Sequence, residues 1–339
     1  MDTEKKQIKL TDIAKKAGVS TATVCRVLGE KSNVAPELRL RVKAVIDELG
    51  YIPNRVHNRT EPWLAVLTDS SITSFTAQIL ASIQENALEK GFVAYVIQMP
   101  SNPEKRQAVL EGLRRQNWTG IISVDFHQSE ETWIQLQEEL QVPIVVMNSE
   151  VNHPQIACIR VNFQEAISNA IAHLATLGHE RIIYLGDLSN QFSQLELAGV
   201  EQGLTKSGTG YPDEYRISVA HTAEGASQGI SRLMMLPSDQ RPTAIIAFDD
   251  EFAIHLLNAL HYHNLSVPGD VSLVGFDNIP MSARTLTPLT TIDVPKYRIG
   301  QQMVDLLVQL VDSRPDEQLG YIIVEGSLVV RNSTGPVRK

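Results

Sequence analysis

Apolar residues in the first thirty positions recur at helical spacing: Ile13, Ala14, Ala17, Val19, Val24, Val27 and Leu28 mark two short amphipathic helices, with Gly18 between them. A glycine there can take the left-handed backbone that ends the first helix, Val19 can tuck under the turn, and Ser20 can cap the second helix. Small Ala14 allows a close crossing. The segment 36–49 predicts a third helix, with Leu38, Val42, Val45, Ile46 and Leu49 on its core face and Arg39, Arg41 and Lys43 outside.

From Trp63 the pattern changes. The β-rich runs LAVLTD, VAYVIQ, GIISVDF and PIVVMN alternate with helical stretches at 75–90, 103–117 and 130–140. A second series follows, with helices at 163–177, 193–206, 224–236 and 251–263 and the runs RIIYLGD, TAIIAFDD and VSLVGFDN. This alternation predicts two parallel sheets with helices on both faces, hence two lobes and a cleft. After PLTTIDV the chain is expected to return to the first lobe for a helix at 297–311, then to cross again for YIIVEGSLVVR.

Charge sharpens the division. The net charge is -9, yet residues 1–60 hold 12 Lys+Arg against 7 Asp+Glu, and the remainder holds 18 against 32. A basic head on an acidic body fits a DNA-contacting module joined to something that avoids DNA. In the second helix, Thr21, Ala22, Cys25 and Arg26 share an outward face, and such an N-terminal end presents side chains to base edges in the major groove. Arg26 is the first choice for base contact, since its guanidinium reaches guanine O6 and N7 together. Thr21 and Thr23 suit phosphate oxygens or a thymine methyl.

Several classes are set aside by absence. The two cysteines, Cys25 and Cys158, lie far apart with no metal-like neighbours, which argues against a disulfide framework or a zinc site. No apolar run approaches a membrane span and no export signal is visible, so a cytoplasmic protein is expected. There is no phosphate loop, dinucleotide fingerprint or nucleophile elbow, and His261 and His263 cannot share a helix face. An enzyme is not expected, nor any cofactor or metal. A cytoplasmic ligand-binding protein or enzyme on the same scaffold is the alternative class.

The run Gly50-Tyr51-Ile52-Pro53-Asn54-Arg55, with the helix pair before it, closely resembles the start of LacI/GalR-family repressors. LGHERIIYLGD, SVPGDVSLVGFDN and PLTTIDVPKYRIG resemble the sensor domain of the same family, so the likeness runs from Ile8 to about Asn332. It implies a small all-α helix-turn-helix head plus an α/β periplasmic-binding-protein-like body of two doubly wound lobes. The divisions are a DNA-binding domain at 8–53, a hinge at 54–62 and a sensing and dimerisation domain at 63–332. Lobe 1 takes 63–161 and 294–319; lobe 2 takes 162–293 and 320–332. The DNA-binding set implied is Thr11, Ser20, Thr21, Ala22, Thr23, Cys25, Arg26, Asn33, Tyr51, Asn54, Arg55 and Arg59.

The head departs from the family in places. Cys25 stands where serine is usual, and Ala35 where serine or threonine caps the third helix, a loss of about 1 kcal/mol partly offset by Pro36 and Glu37. In the hinge, Thr60 aligns with a leucine that wedges into the minor groove, so less bending of operator DNA is expected.

Ligands in open α/β sheets sit beyond the carboxyl ends of strands. The effector candidates are therefore Asp69, Phe75, Asn148, Phe192, Glu196, Asp249 and Asp277, with Asp250 placed either to meet ligand or to orient its loop. For Asp277 the competing role is a carboxylate satisfied by backbone N–H groups at a strand end. In sugar-sensing relatives the position aligned with Glu196 is commonly arginine. The expected partners are double-stranded operator DNA, a small-molecule effector and a second copy of the chain, with no membrane. Carbohydrate leads among effectors; a nucleoside or an amine-bearing metabolite is the alternative. The dimer surface is expected on the stripe Phe75, Ile79, Ile83 and Ala87.

Overall fold

The computed structural model describes residues 10–28, 35–49, 62–69, 71–312 and 319–338. Three helices, α1 (Leu10–Ala17), α2 (Thr21–Leu28) and α3 (Pro36–Leu49), share a core of Ile13, Ala14, Ala17, Val24, Val27, Val42 and Val45. Gly18 has φ +66°, the left-handed backbone that favours glycine, and Ser20 Oγ accepts from Thr23 N at 3.1 Å. The α1–α2 turn is thus built by the residues that the pattern singled out.

The body opens with β1 (Trp63–Thr68), α4 (Ser74–Glu89), β2 (Val93–Gln98), α5 (Pro103–Arg114), β3 (Gly120–Ser123), α6 (Glu130–Leu140), β4 (Ile144–Met147) and β5 (Ile156–Val161). It continues with α7 (Phe163–Thr176), β6 (Ile182–Leu185), α8 (Gln191–Lys206), α9 (Ala223–Met235), β7 (Ala244–Ala247), α10 (Asp250–Tyr262), β8 (Ser272–Phe276) and β9 (Thr290–Asp293). The last elements are α11 (Lys296–Asp312), β10 (Tyr321–Val324) and β11 (Ser327–Val329).

Two sheets result. The first has the order β10-β5-β4-β3-β1-β2 and is parallel throughout; the second has the order β11-β9-β8-β7-β6 and is parallel except for β11. Alternation decides the layers. Leu64 and Val66 of β1 face the cluster containing Ile79, Ile83, Ile299 and Met303, while Ala65 and Leu67 face the one containing Leu113, Trp133 and Leu136. In the second sheet Ile183 and Leu185 face α9 and α10, and Ile182 and Tyr184 face α7 and α8. Strands covered on both sides read as continuous apolar runs, which is why β1, β3 and β7 are so evident in the sequence.

Three expectations change. The stripe Ile79, Ile83 and Ala87 is fully buried within the chain, because α4 packs along α11, with Ser82 Oγ donating to Tyr297 O at 2.6 Å; it offers no dimer surface. The strands β5 and β9 add pairings that the runs did not single out, β5 joining β4 to β10. The final crossing falls between Val324 and Ser327 instead of at residue 320, since β10 pairs with β5 in the first sheet. No described helix is long and apolar enough to cross a membrane.

Candidate functional site

In the first sheet β1 lies between β2 and β3, so the connections leaving β1 and β3 diverge and open a crevice beyond their carboxyl ends. Asp69 follows β1 there and Asp125 lies two residues beyond β3. From the second sheet come Asp249, just past β7, Asp277, directly after β8, and Glu196 from α8. Asp125 acts on Asp277 across the gap, and within the second lobe Asp277 and Asp249 act on Glu196. Beside them lies a cavity of about 600 Å³ lined by His127, Asn148, Arg160, Phe163, Phe192 and Leu195.

The candidates divide by what already engages them. Asn148, at φ +51°, accepts from Val161 N through Oδ1 at 2.9 Å, so half of its amide ties β4 to β5. Phe192 stands against His127 at 4.7 Å and Phe163 at 5.8 Å between ring centroids, and Phe163 stacks on Phe276 at 5.7 Å, making one aromatic wall. Phe75 packs on the core beneath Lys296, whose Nζ is 6.0 Å from the ring centroid. Asp249 caps α10, accepting from Phe252 N at 2.6 Å. Glu196 is 2% exposed and accepts from Tyr184 Oη at 2.9 Å.

Asp277 departs from the competing role considered for it. Its backbone N donates to Ile292 O at 2.8 Å, but among the described residues no group donates to its carboxylate. Asp250 performs the loop-orienting task instead: Oδ2 accepts from Ile279 N at 2.9 Å and Oδ1 from Thr291 Oγ1 at 2.6 Å, inside a fully buried side chain. A methyl group on Gly275 would sit 2.0 Å from Asp250 Oδ1, so glycine there is what lets the carboxylate reach the loop.

Burial dominates the electrostatics. It pushes the Asp249 and Asp250 carboxyls up to about 6 and those of Glu196 and Asp277 well above the usual carboxylate range, with neighbouring acids adding to Glu196 and Asp277. Burial likewise raises Asp125, against a hydrogen bond from Thr76, and lowers His127, against the pull of Asp69. Lys296, 7% exposed, donates to Val294 O at 2.9 Å, to Asp293 Oδ1 at 3.3 Å and to Asp277 O.

Asp125, His127, Phe163, His221 and Lys296 escaped the sequence reading. Asp125 was the findable one, ending a β-rich run as Asp69 does. His221 stacks on Phe248 at 4.0 Å and accepts from Asp187 N at 3.0 Å, contacts that join distant segments and leave no local signature.

One bond spans the lips of the cleft: Glu251 Oε1, at the start of α10, accepts from Ser74 N, at the start of α4, at 3.0 Å. A carboxylate at a helix N-terminus typically contributes about 0.3–1 kcal/mol. Glu251→Ala is therefore expected to raise the open-lobed population by a factor of about 2–5, seen as a larger radius of gyration in solution scattering. An unchanged scattering profile would remove Glu251 from any role in closure.

At the head, Ser20 and Thr21 are exposed at the start of α2, and Thr23 is half-buried with its hydroxyl 2.9 Å from that of Ser20. Thr11 falls in α1, and Ala22, Cys25 and Arg26 in α2. Their side chains, and Asn33, Tyr51, Asn54, Arg55, Arg59 and the hinge residue Thr60, lie outside the described residues.

Comparison with known proteins bears on both parts. Residues 9–54 match the family described as bacterial regulatory proteins, lacI family, and residues 171–334 match the periplasmic binding protein-like domain. The HTH-type transcriptional repressor PurR of Aliivibrio fischeri (strain MJ11) is 26% identical over 96% of this chain and 97% of its own. Catabolite control protein A of Priestia megaterium is 27% identical over 90% of this chain and 93% of its own. Among solved structures, the lac repressor dimer bound to operator and the anti-inducer ONPF superposes with a TM-score of 0.68 at 29% identity, covering 97% of this chain and 100% of that one. The complex of the transcriptional regulator CelR with cellobiose shares the fold, with a TM-score of 0.71 at 24% identity over 96% of this chain and 99% of that one. The chain thus joins a lacI-type helix-turn-helix domain to a periplasmic-binding-protein-like α/β body, the architecture of the lacI family, which consists of DNA-binding transcriptional regulators and not of enzymes.

Proposed function

We propose that this regulator is a repressor that binds a near-palindromic operator as a homodimer, and that a polyhydroxylated effector, a carbohydrate first of all, sets its DNA affinity from the cleft between the two sheets. The observation that carries the effector reading is the pairing of hydrogen-bond acceptors, Asp277, Glu196 and Asp249, with the aromatic wall of Phe163 and Phe192. Sugars present hydroxyl donors at their edges and apolar C–H faces, which such a site matches. A phosphorylated sugar would bring like charge to a poorly screened site.

Arg26 is the base-reading residue in this proposal, and Thr11, Ser20, Thr21 and Thr23 bind backbone phosphates with Asn33, Tyr51, Asn54, Arg55 and Arg59. One recognition helix gives too few base contacts for tight discrimination, and two-fold pairing doubles them. For the dimer surface the support comes from the free edge of the first sheet, where Val93 and Tyr95 of β2 are exposed, and from Leu88 near the end of α4, which is 69% exposed. Leu88→Lys is expected to weaken self-association about tenfold or more without lowering the melting temperature, read by sedimentation, because the side chain is mostly exposed and belongs to no core cluster. Unaltered association would move the interface elsewhere.

The function itself is tested by selecting duplexes from a randomised pool with the full chain, then titrating the winner with and without sugars and nucleosides. A palindromic winner whose affinity shifts with a ligand supports the proposal. Equal binding to all duplexes, or an affinity that no ligand moves, would falsify the corresponding half.

A further inference from the structure

The charge of the cleft is strongly one-sided. Glu196 is 2% exposed, yet only one of its oxygens is engaged, by Tyr184, and the other accepts nothing among the described residues. The Asp277 carboxylate accepts nothing either, and Asp249 uses one oxygen to cap α10. On the opposite wall His127 Nδ1 is buried with no partner among the described residues. The nearby cations are committed elsewhere. Lys296 Nζ has three acceptors for its three protons, and Arg331 is spent on Asn278, Leu289 O and Ser282. Arg160 pairs with Glu150 at 2.5 Å. Among the described residues no three acidic, histidine or cysteine side chains are placed to hold a metal ion.

We propose that the effector carries an ammonium group on a hydroxylated ring, as an amino sugar does, with its N–H donors taken by Asp277, Glu196 and Asp249 and its ring face against Phe192 and Phe163. This rests on the cleft being the effector site. An ammonium supplies two things: donors for the open carboxylate oxygens, and a positive charge beside Glu196, Asp249 and Asp277, which Lys296, turned to Asp293 and two carbonyls, offsets only in part. A neutral sugar supplies only the donors. Because burial holds the Glu196, Asp249 and Asp277 carboxyls above their usual range, the empty site retains protons, and an arriving ammonium displaces them. Binding therefore releases protons and weakens as the pH falls through about 6, the range in which Asp249 protonates. Among the other titrating groups that face the site, His127 is held neutral by burial and gains charge on acidification, which acts in the same direction; Tyr184 stays protonated.

The test is a thermal-shift and calorimetric panel on the full chain, pairing glucosamine, galactosamine and mannosamine with glucose, galactose and mannose, plus a hexose phosphate. The expected result is that at least one amine binds about tenfold or more tightly than its neutral match, as loss of a charge-assisted hydrogen bond implies. Its calorimetric heat should vary with the buffer's ionisation enthalpy in the sense of proton release. Asp277→Asn and Glu196→Gln, which keep side-chain shape, should each erase the preference. If neutral sugars bind as tightly and the same variants abolish them, the cleft stands as the effector site and the ammonium is wrong. If an amine stabilises both variants as it does the parent chain, the cleft reading itself fails. A panel in which no amine stabilises the chain also overturns the proposal.

Discussion

Asp250→Ala is expected to lower the unfolding free energy of the body by about 2–5 kcal/mol and to remove any response of DNA binding to ligand. The side chain is fully buried and supplies the acceptors for Ile279 N and Thr291 Oγ1, at 2.9 and 2.6 Å. Truncation strands two buried donors at once, each at a cost of about 1–3 kcal/mol. The loop after β8 then loses the bond that holds Ile279 two residues beyond Asp277, so the Asp277 carboxylate loses its position as well. Asp250→Asn keeps one acceptor and should fall between.

The pH dependence of that loss has a definite sign. The Asp250 carboxyl is raised to about 6 when folded, from the ordinary aspartate value of 3.8, so ionisation costs stability in full above pH 6, and the cost fades as the pH falls toward 3.8. The parent therefore gains from protonation of this group between about pH 7.5 and pH 5, and the alanine variant does not; the deficit should widen by about 1 kcal/mol. Urea unfolding at the two pH values measures it. A deficit that shrank on acidification would contradict the burial of this carboxylate as an unfavourable ion.

Arg26→Ala is expected to weaken operator binding by about 1–3 kcal/mol per half-site and to relax the preference at one base position in each. A bidentate arginine carries sequence information that contacts to phosphate lack, so the loss should be large on the selected operator and small on unrelated duplexes. Titrating the variant against single-base operator changes separates the roles. A uniform loss on every duplex, with a shallower salt dependence, would assign Arg26 to the DNA backbone.

Much of this protein was determined by sequence alone, wherever a structural decision rests on neighbouring residues. Gly18 and Ser20 build the α1–α2 turn from within five positions, and the apolar runs of β1, β3 and β7 announce buried parallel strands because both of their faces are covered. Strand-end polar residues could be named for the same reason: the end of a run is a local event, and Asp69, Asp249 and Asp277 all stand at one. The tertiary structure decided what those residues do. Asp249 and Asp250 are adjacent, yet one caps a helix at the cleft and the other is sealed against a loop and a strand 29 and 41 residues away. The stripe on α4 has the same spacing whether it faces another chain or its own, and only the packing of α11 against it consumed that surface. Most of all, the shift of the acidic lining toward its protonated form arises from burial and from charges contributed by separate lobes, quantities that exist only once the chain has brought them together.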